Sequence, residues 1–490
     1  MKKSTLILYF TLFAVAISSV SCNKYLDVNE DPLNTTVSRA DLILPAAQLY
    51  VGNALGDRLF RLTSTWAQYY TGGPGVSLGD WDKNTMATTD GNQAFNNLYR
   101  SMNNLSYIIN KSGEPNYIGI SKILLAYNLQ VCADIFGDIP YNDALKGDIV
   151  DGFVISPKYD NAETVVYPAI EKIIKEGIAE FSKADANSLV PSADDIIYNG
   201  DIASWKKFAN SLLLKVYLRQ GSDDAKTKFQ ALYNTEKNSL ITASDDNCAI
   251  NYPGTNEARN PFWIQALSSI GNFYVGTTTS INVLKSFNDD RISYFYDAPS
   301  SGTHTGLKPG DVENSPASAE YSRPNGAKKT AGGVIFSPTA PVILLSSWET
   351  NFILCEAAAR GWITASDESL YKDAITENFT YLGASIKDYL STSGAFDATS
   401  LTTKIKSIAI QKWISMNGLQ PVESWIETRR LDNTSNPLFA SNGGLFQVPT
   451  QNVLGGKLFP SILFYPSTEQ DLNKSFPSQH KLTDKVFWDK

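Results

Sequence analysis

A mainly α fold of helix pairs carrying long loops is predicted by three features of this sequence. Apolar residues recur at spacings of three and four through most of the chain. Several of these stripes stop at Gly or Pro, the residues that end helices. Residues 245–276 and 297–341 break the pattern with Asn, Gly, Pro, Ser and Thr. Segments that long without regular structure in a compact domain are usually functional loops or disorder.

The first element is a leader. Met1-Lys2-Lys3 supplies a positive start, and Leu6 to Ile17 is an apolar run of export-signal length, too short to span a bilayer as a mature helix. Ser19-Val20-Ser21-Cys22 then resembles a lipobox, with Ser19 standing where Leu is typical. Residues 1–21 are expected to be removed, leaving Cys22 acylated and residues 22–490 as one domain tethered by lipid. An ordinary export signal with an unmodified Cys22 is the alternative.

The helices follow in order. Ile120, Ile123, Leu124, Tyr127, Val131 and Ile135 form one stripe, and Leu125, Leu129, Cys132 and Phe136 form a second. A helix apolar on two faces is sandwiched between neighbours. Gly137 and Pro140 end it. Ser204 is placed to cap a helix striped by Trp205, Phe208, Leu212, Leu213, Val216 and Tyr217. From Leu345 through Trp348, Phe352, Cys355 and Ala359 to Trp362 the spacings run 3, 4, 3, 4, 3. Ile405–Asn417 and Val422–Arg430 form a closely joined pair, the unit of tetratricopeptide-like stacks, although no strict repeat of about 34 residues is found. Glu356 with Arg360, and Glu427 with Arg429 or Arg430, are spaced as ion pairs on one helix face.

Composition excludes several functions. The formal charge of −8, with no long basic run, disfavours nucleic acid and anionic lipid as partners. It argues faintly against highly anionic polysaccharides too, unless local charge overrules it. The cysteines after the leader, Cys132, Cys248 and Cys355, suit buried thiols better than a disulfide framework. Two histidines, His304 and His480, exclude a histidine metal cluster and leave histidine catalysis without support. The 24 Tyr, 23 Phe and 9 Trp are mostly core, yet they also suit stacking on flat ligand faces.

A series of strings resembles one family, the SusD/RagB-like nutrient-binding outer-membrane lipoproteins, in the branch beginning Leu-Asp-Val-Asn-x-Asp-Pro. They are Tyr25-Leu-Asp-Val-Asn-Glu-Asp-Pro32, Ala133-Asp-Ile-Phe-Gly-Asp-Ile-Pro-Tyr141, Trp205-Lys-Lys-Phe-Ala-Asn-Ser-Leu-Leu213, Glu356-Ala-Ala-Ala-Arg-Gly361, Glu423-Ser-Trp-Ile-Glu-Thr-Arg-Arg430 and Leu463-Phe-Tyr-Pro466 with Glu469 and Asn473. The resemblance implies a lipid-anchored protein at the cell surface, acting as a lid over a SusC-like TonB-dependent transporter. It also implies capture of an oligosaccharide or another nutrient such as peptide, a right-handed helix stack, and loops that build the ligand surface on one side.

A sugar surface needs aromatic faces with Asn, Asp, Gln or Arg at the rim, because hydroxyls must be paired once desolvated. Thr71-Gly-Gly-Pro-Gly75 with Trp81, Asp82 and Asn84 offers that mixture. So does the second loop, with Tyr252, Arg259, Asn260, Trp263 and Tyr274. Trp81 is the foremost candidate for stacking, since it joins no helical stripe, whereas Trp205, Trp348, Trp362, Trp413 and Trp425 are assigned to packing. No cofactor or metal is expected, although loop carboxylates suit calcium's preference for oxygen. The rival classes are a helical-scaffold glycoside hydrolase, using Asp194-Asp195, Asp245-Asp246 or Asp289-Asp290, and a surface adaptor without a small ligand.

Overall fold

Periodicity and stop signals place the helices well. The computed structural model describes residues 39–76, 78–146, 154–256, 258–267, 273–315, 320–327 and 333–489. Asp41–Lys490 forms one compact unit. The leader, Cys22 and the Tyr25–Pro32 string lie outside the described residues.

The helices are α1 (Ala40–Gly56), α2 (Arg58–Trp66), α3 (Asn92–Lys111), α4 (Pro115–Phe136), α5 (Tyr167–Glu180), α6 (Ile202–Gln220), α7 (Asp223–Glu236), α8 (Pro261–Leu267), α9 (Thr278–Ser286), α10 (Ile292–Phe295), α11 (Ser347–Ala359), α12 (Asp367–Leu382), α13 (Leu401–Ser415), α14 (Pro421–Leu431) and α15 (Ser467–Leu472). Successive helices pack against each other: α3 on α4, α4 on α5, α6 on α7, α11 on α12, and α13 on α14. Helix α11 also touches α6 and α13, which joins the pairs into a stack. The fold is mainly α, as the apolar stripes predict.

Helix α4 is long and apolar enough to cross a membrane, but 89% of that stretch is buried, so it is the sandwiched core helix its two stripes imply. It stops at Gly137, whose φ of 77° suits glycine. Two boundaries differ from expectation. The cap of α6 is Asp201, which accepts from the Ala203 N–H, while Ser204 donates to Asp201 Oδ2 at 2.8 Å. Helix α11 is shorter than its stripe. Ser346 caps it by accepting from the Glu349 N–H, Leu345 pairs with Cys248 in a strand, and Trp362 falls beyond the last turn.

The regions expected to be loops contain short strands. β1 (Tyr70–Gly72) pairs antiparallel with β5 (Tyr274–Gly276), and β4 (Cys248–Ile250) pairs with β8 (Val342–Leu345). Two smaller ladders join β2 (Ile139–Pro140) to β3 (Tyr159–Asp160) and β6 (Tyr296–Asp297) to β7 (Arg323–Pro324). Cys132, Cys248 and Cys355 are buried free thiols.

Candidate functional site

The β1–β5 ladder fuses the two segments that carry the aromatic and polar candidates. Gly72 stands opposite Tyr274. A Cβ on Gly72 would lie 2.1 Å from the Val76 carbonyl oxygen and 3.1 Å from Asp82 Oδ2, so only glycine lets these segments meet. A 3-10 turn, Trp81–Lys83, follows, flanked by Asp80 at φ 72° and Asn84 at φ 58°. Asp and Asn are the side chains that best tolerate this left-handed backbone. Lys83 pairs with Asp80 at 3.1 Å, and Asn84 Nδ2 donates to the Leu458 carbonyl at 3.3 Å.

The expectation of an open Trp81 face is corrected by this packing. Its side chain is 4% exposed, and its Nε1 donates to Asp90 Oδ2 at 2.8 Å. The guanidinium carbons of Arg58 and Arg61 each lie 5.7 Å from the ring centroid. Trp66 Nε1 donates to the Trp81 carbonyl at 3.1 Å. A tryptophan already faced by two cations and hydrogen-bonded at its only polar atom is a structural keystone.

Five further candidates are buried as well. Asp82 lies against the Gly72 backbone, and burial pushes its carboxyl up against the pull of its own and Gly72's backbone N–H groups and of Lys83. Asn84 holds the loop as described. The Tyr252 hydroxyl fills the space that a Cβ on Gly52 would occupy, 2.2 Å away. Asn260 closes the start of α8, with Oδ1 accepting from the Trp263 N–H at 3.1 Å and Nδ2 donating to the Ala340 carbonyl at 2.8 Å. Tyr274 is buried, and burial raises its hydroxyl pKa against the neighbouring Arg61 guanidinium. Of the eight candidates, Arg259 and Trp263 alone are half-exposed. Arg259 Nε donates to the Gly254 carbonyl at 3.4 Å, and Trp263 packs on Phe336 with centroids 4.6 Å apart.

Around them stands a group that no motif marks. Asp57, between α1 and α2, accepts from Arg61 Nη2 at 2.8 Å, Gln93 Nε2 at 2.5 Å and Gln265 Nε2 at 3.3 Å. The Arg58 side chain is 42% exposed and pairs with Asp90 at 2.9 Å. Arg58, Gln93 and Gln265 therefore line a rigid polar rim beside α8, with Trp263 on the same helix. Asp57 and Asp90 hold these amide and guanidinium groups, side chains of the chemical kind that pairs hydroxyls. Arg58 and Arg61 carry only a helical spacing in the sequence, so nothing local ties them to Trp81.

The paired aspartates have other partners. Asp195 is buried and accepts from Gln48, from Trp205 Nε1 at 2.7 Å and from the Gly200 N–H at 3.0 Å. Asp194 accepts from Tyr117 at 2.8 Å, Asp246 from Lys207 at 2.7 Å, and Asp289 from Arg291 at 2.7 Å. Among the described residues no group of three or more His, Cys, Asp or Glu side chains is placed to hold a metal ion.

Comparison with known proteins identifies the architecture. The family model described as "Starch-binding associating with outer membrane", a SusD-like family, matches residues 33–451. No curated protein matches the chain at significance. Among solved structures, a chitin-binding SusD homologue from Flavobacterium johnsoniae is 21% identical over 91% of this chain and 98% of its own, with a TM-score of 0.74. A SusD homologue from Bacteroides fragilis is 20% identical over 92% of this chain and 100% of its own, with a TM-score of 0.74. One from Bacteroides uniformis is 19% identical over 91% and 99%, with a TM-score of 0.71. Matched by the family model from residue 33 to 451 and sharing the fold nearly end to end, this chain belongs to the SusD-like family.

Proposed function

We propose that this protein is a cell-surface lipoprotein that binds a glycan and hands it to a TonB-dependent transporter in the outer membrane, without cleaving it. Family membership across residues 33–451 carries the reading. A chitin-binding SusD homologue shares the fold, which supports a carbohydrate ligand over a peptide. Acylation at Cys22 supplies the anchor. The ligand meets Trp263 and Arg259, with Arg58, Gln93 and Gln265 pairing its hydroxyls. Weak binding is expected, because sugar hydroxyls exchange water hydrogen bonds for protein ones at little net gain. Quick release then favours handover to the transporter.

Binding is tested by titrating the soluble chain from Asn23, which contains the whole compact unit, with chitin oligosaccharides and α-glucans, followed by product analysis. Binding without shortened products is expected, and Trp263→Ala should weaken it by about tenfold, the worth of one aromatic contact. Shortened products would return the carboxylates to the centre, and an unaltered Trp263→Ala affinity would remove the α8 rim from the site.

A further inference from the structure

A second cavity, remote in sequence from the α8 rim, opens where the C-terminal ends of α6, α11 and α14 meet. Its volume is about 450 Å3, within the range of small-molecule sites. Three guanidiniums, Arg219, Arg360 and Arg430, and two tryptophans, Trp362 and Trp488, line it.

Two of the three guanidiniums have both terminal nitrogens committed to carboxylates. Arg219 faces Asp134, Glu423 and Glu427, and Arg430 faces Glu356 and Glu427. Arg360 differs. Its Nε donates to Glu356 Oε1 at 2.8 Å, while Nη1 and Nη2 have no hydrogen-bond partner among the described residues, and its side chain is 35% exposed. Glu356 is itself fixed by Arg430 Nη1 at 3.0 Å and by Nη2. The open end of Arg360 is thus aimed by a buried charge network, and a pre-aimed fork loses little freedom when it binds.

The chain turn after α11 brings an aromatic ring to the lining of the same cavity. The Trp362 N–H donates to the Ala357 carbonyl at 2.7 Å and the Gly361 N–H to the Ala358 carbonyl at 2.9 Å, with Gly361 at φ 69°. This glycine-closed helix end fixes the position of Trp362. Its ring meets Phe229 edge-on at 5.7 Å and stays half-exposed, off the packed stripe to which its spacing assigned it. The acids in the lining are already engaged. Glu356 is doubly paired, and Asp432 accepts the N–H groups of Leu438 at 2.6 Å, Phe439 at 3.1 Å and Ser441 at 2.7 Å. The chain's net charge of −8 acts at longer range, where salt screens it beyond about 8 Å.

We infer that this cavity is a second ligand site, independent of the α8 rim, selective for a sugar that carries a carboxylate. Arg360 takes the carboxylate through its two terminal nitrogens, and Trp362 stacks on the ring's apolar face.

Saturation-transfer NMR and titration of the soluble chain with D-glucuronate and D-glucose test this directly. Glucuronate is expected to bind at least about tenfold tighter than glucose, the preference a charge-assisted fork confers. Arg360→Gln should erase that preference in a protein that still folds, with a lower thermal midpoint because buried Glu356 loses one of its two cations, and Arg360→Lys should keep only part of the preference. Trp263→Ala, at the α8 rim, should leave glucuronate binding intact. Equal binding of the two sugars, no glucuronate binding, or full glucuronate affinity in both Arg360 variants would overturn the assignment. The chitin and α-glucan titration with Trp263→Ala reads the α8 rim, whose residues do not line this cavity, so either reading fails without the other.

Discussion

Trp81 and Arg291 show how completely a single side chain is committed by its neighbours. Arg291 is fully buried, yet Asp289, Asn378, Ser415 and Gln411 all accept from it, and Phe379 lies beneath it at 4.5 Å. A buried guanidinium persists only when paired this fully. Arg360, with two open nitrogens, is its opposite. Trp81 belongs with Arg291. Trp81→Ala should cost about 3–5 kcal/mol, as for other buried aromatics, read as a lower urea midpoint. Glycan affinity of the folded protein should fall less than in Trp263→Ala, since Trp81 reaches the ligand only through Arg58 and Asp90. An unaltered midpoint with lost binding would return Trp81 to the ligand surface.

Between helices, a buried charge ladder replaces part of the apolar seam. Lys215 on α6 pairs with Glu349 on α11 at 3.0 Å and Glu423 on α14 at 3.1 Å. Lys412 on α13 and Arg430 on α14 meet Glu427 at 2.7 and 2.8 Å. Glu356 on α11 is held down to about 2 although burial opposes its charge, because Arg430 and then Arg360 overcome that penalty. A carboxyl depressed in the folded state stabilises fully above its ordinary value and loses that contribution as pH falls toward the depressed one. The loss for Glu356 is roughly 3 kcal/mol between pH ~4.5 and ~2. Glu349 works the other way, since burial raises it despite Lys215, so its protonation offsets part of the fall. Glu427, held well below its ordinary value against burial by Arg430 and Lys412, adds to the fall. Urea midpoints should therefore drop from about pH 5 to about pH 3, and Glu356→Gln should make the drop shallower. Parallel curves for parent and variant would show that Glu356 does not carry it.

Across the whole molecule, burial silences the thiols. Desolvation pushes Cys132, Cys248 and Cys355 upward, so none supplies thiolate near neutrality. The soluble chain from Asn23 should show no fast-reacting thiol when native and three in denaturant. A thiol titrating at once in buffer would mean that one of these sites opens.

By itself the sequence determined what periodicity and short spacing control: the helices, their Gly stops, and the Glu356–Arg360 and Glu427–Arg430 pairs seen at 2.8 Å. Ordered strings along the chain also carried the family. Only the tertiary structure decided the β1–β5 ladder, the burial of Trp81 under Arg58 and Arg61, and the reach of Arg430 to Glu356 across 74 residues. A side chain's helical face follows from its neighbours within two turns. Whether a loop residue faces water or a guanidinium depends on segments that meet only after the chain has packed, and those contacts leave no local trace.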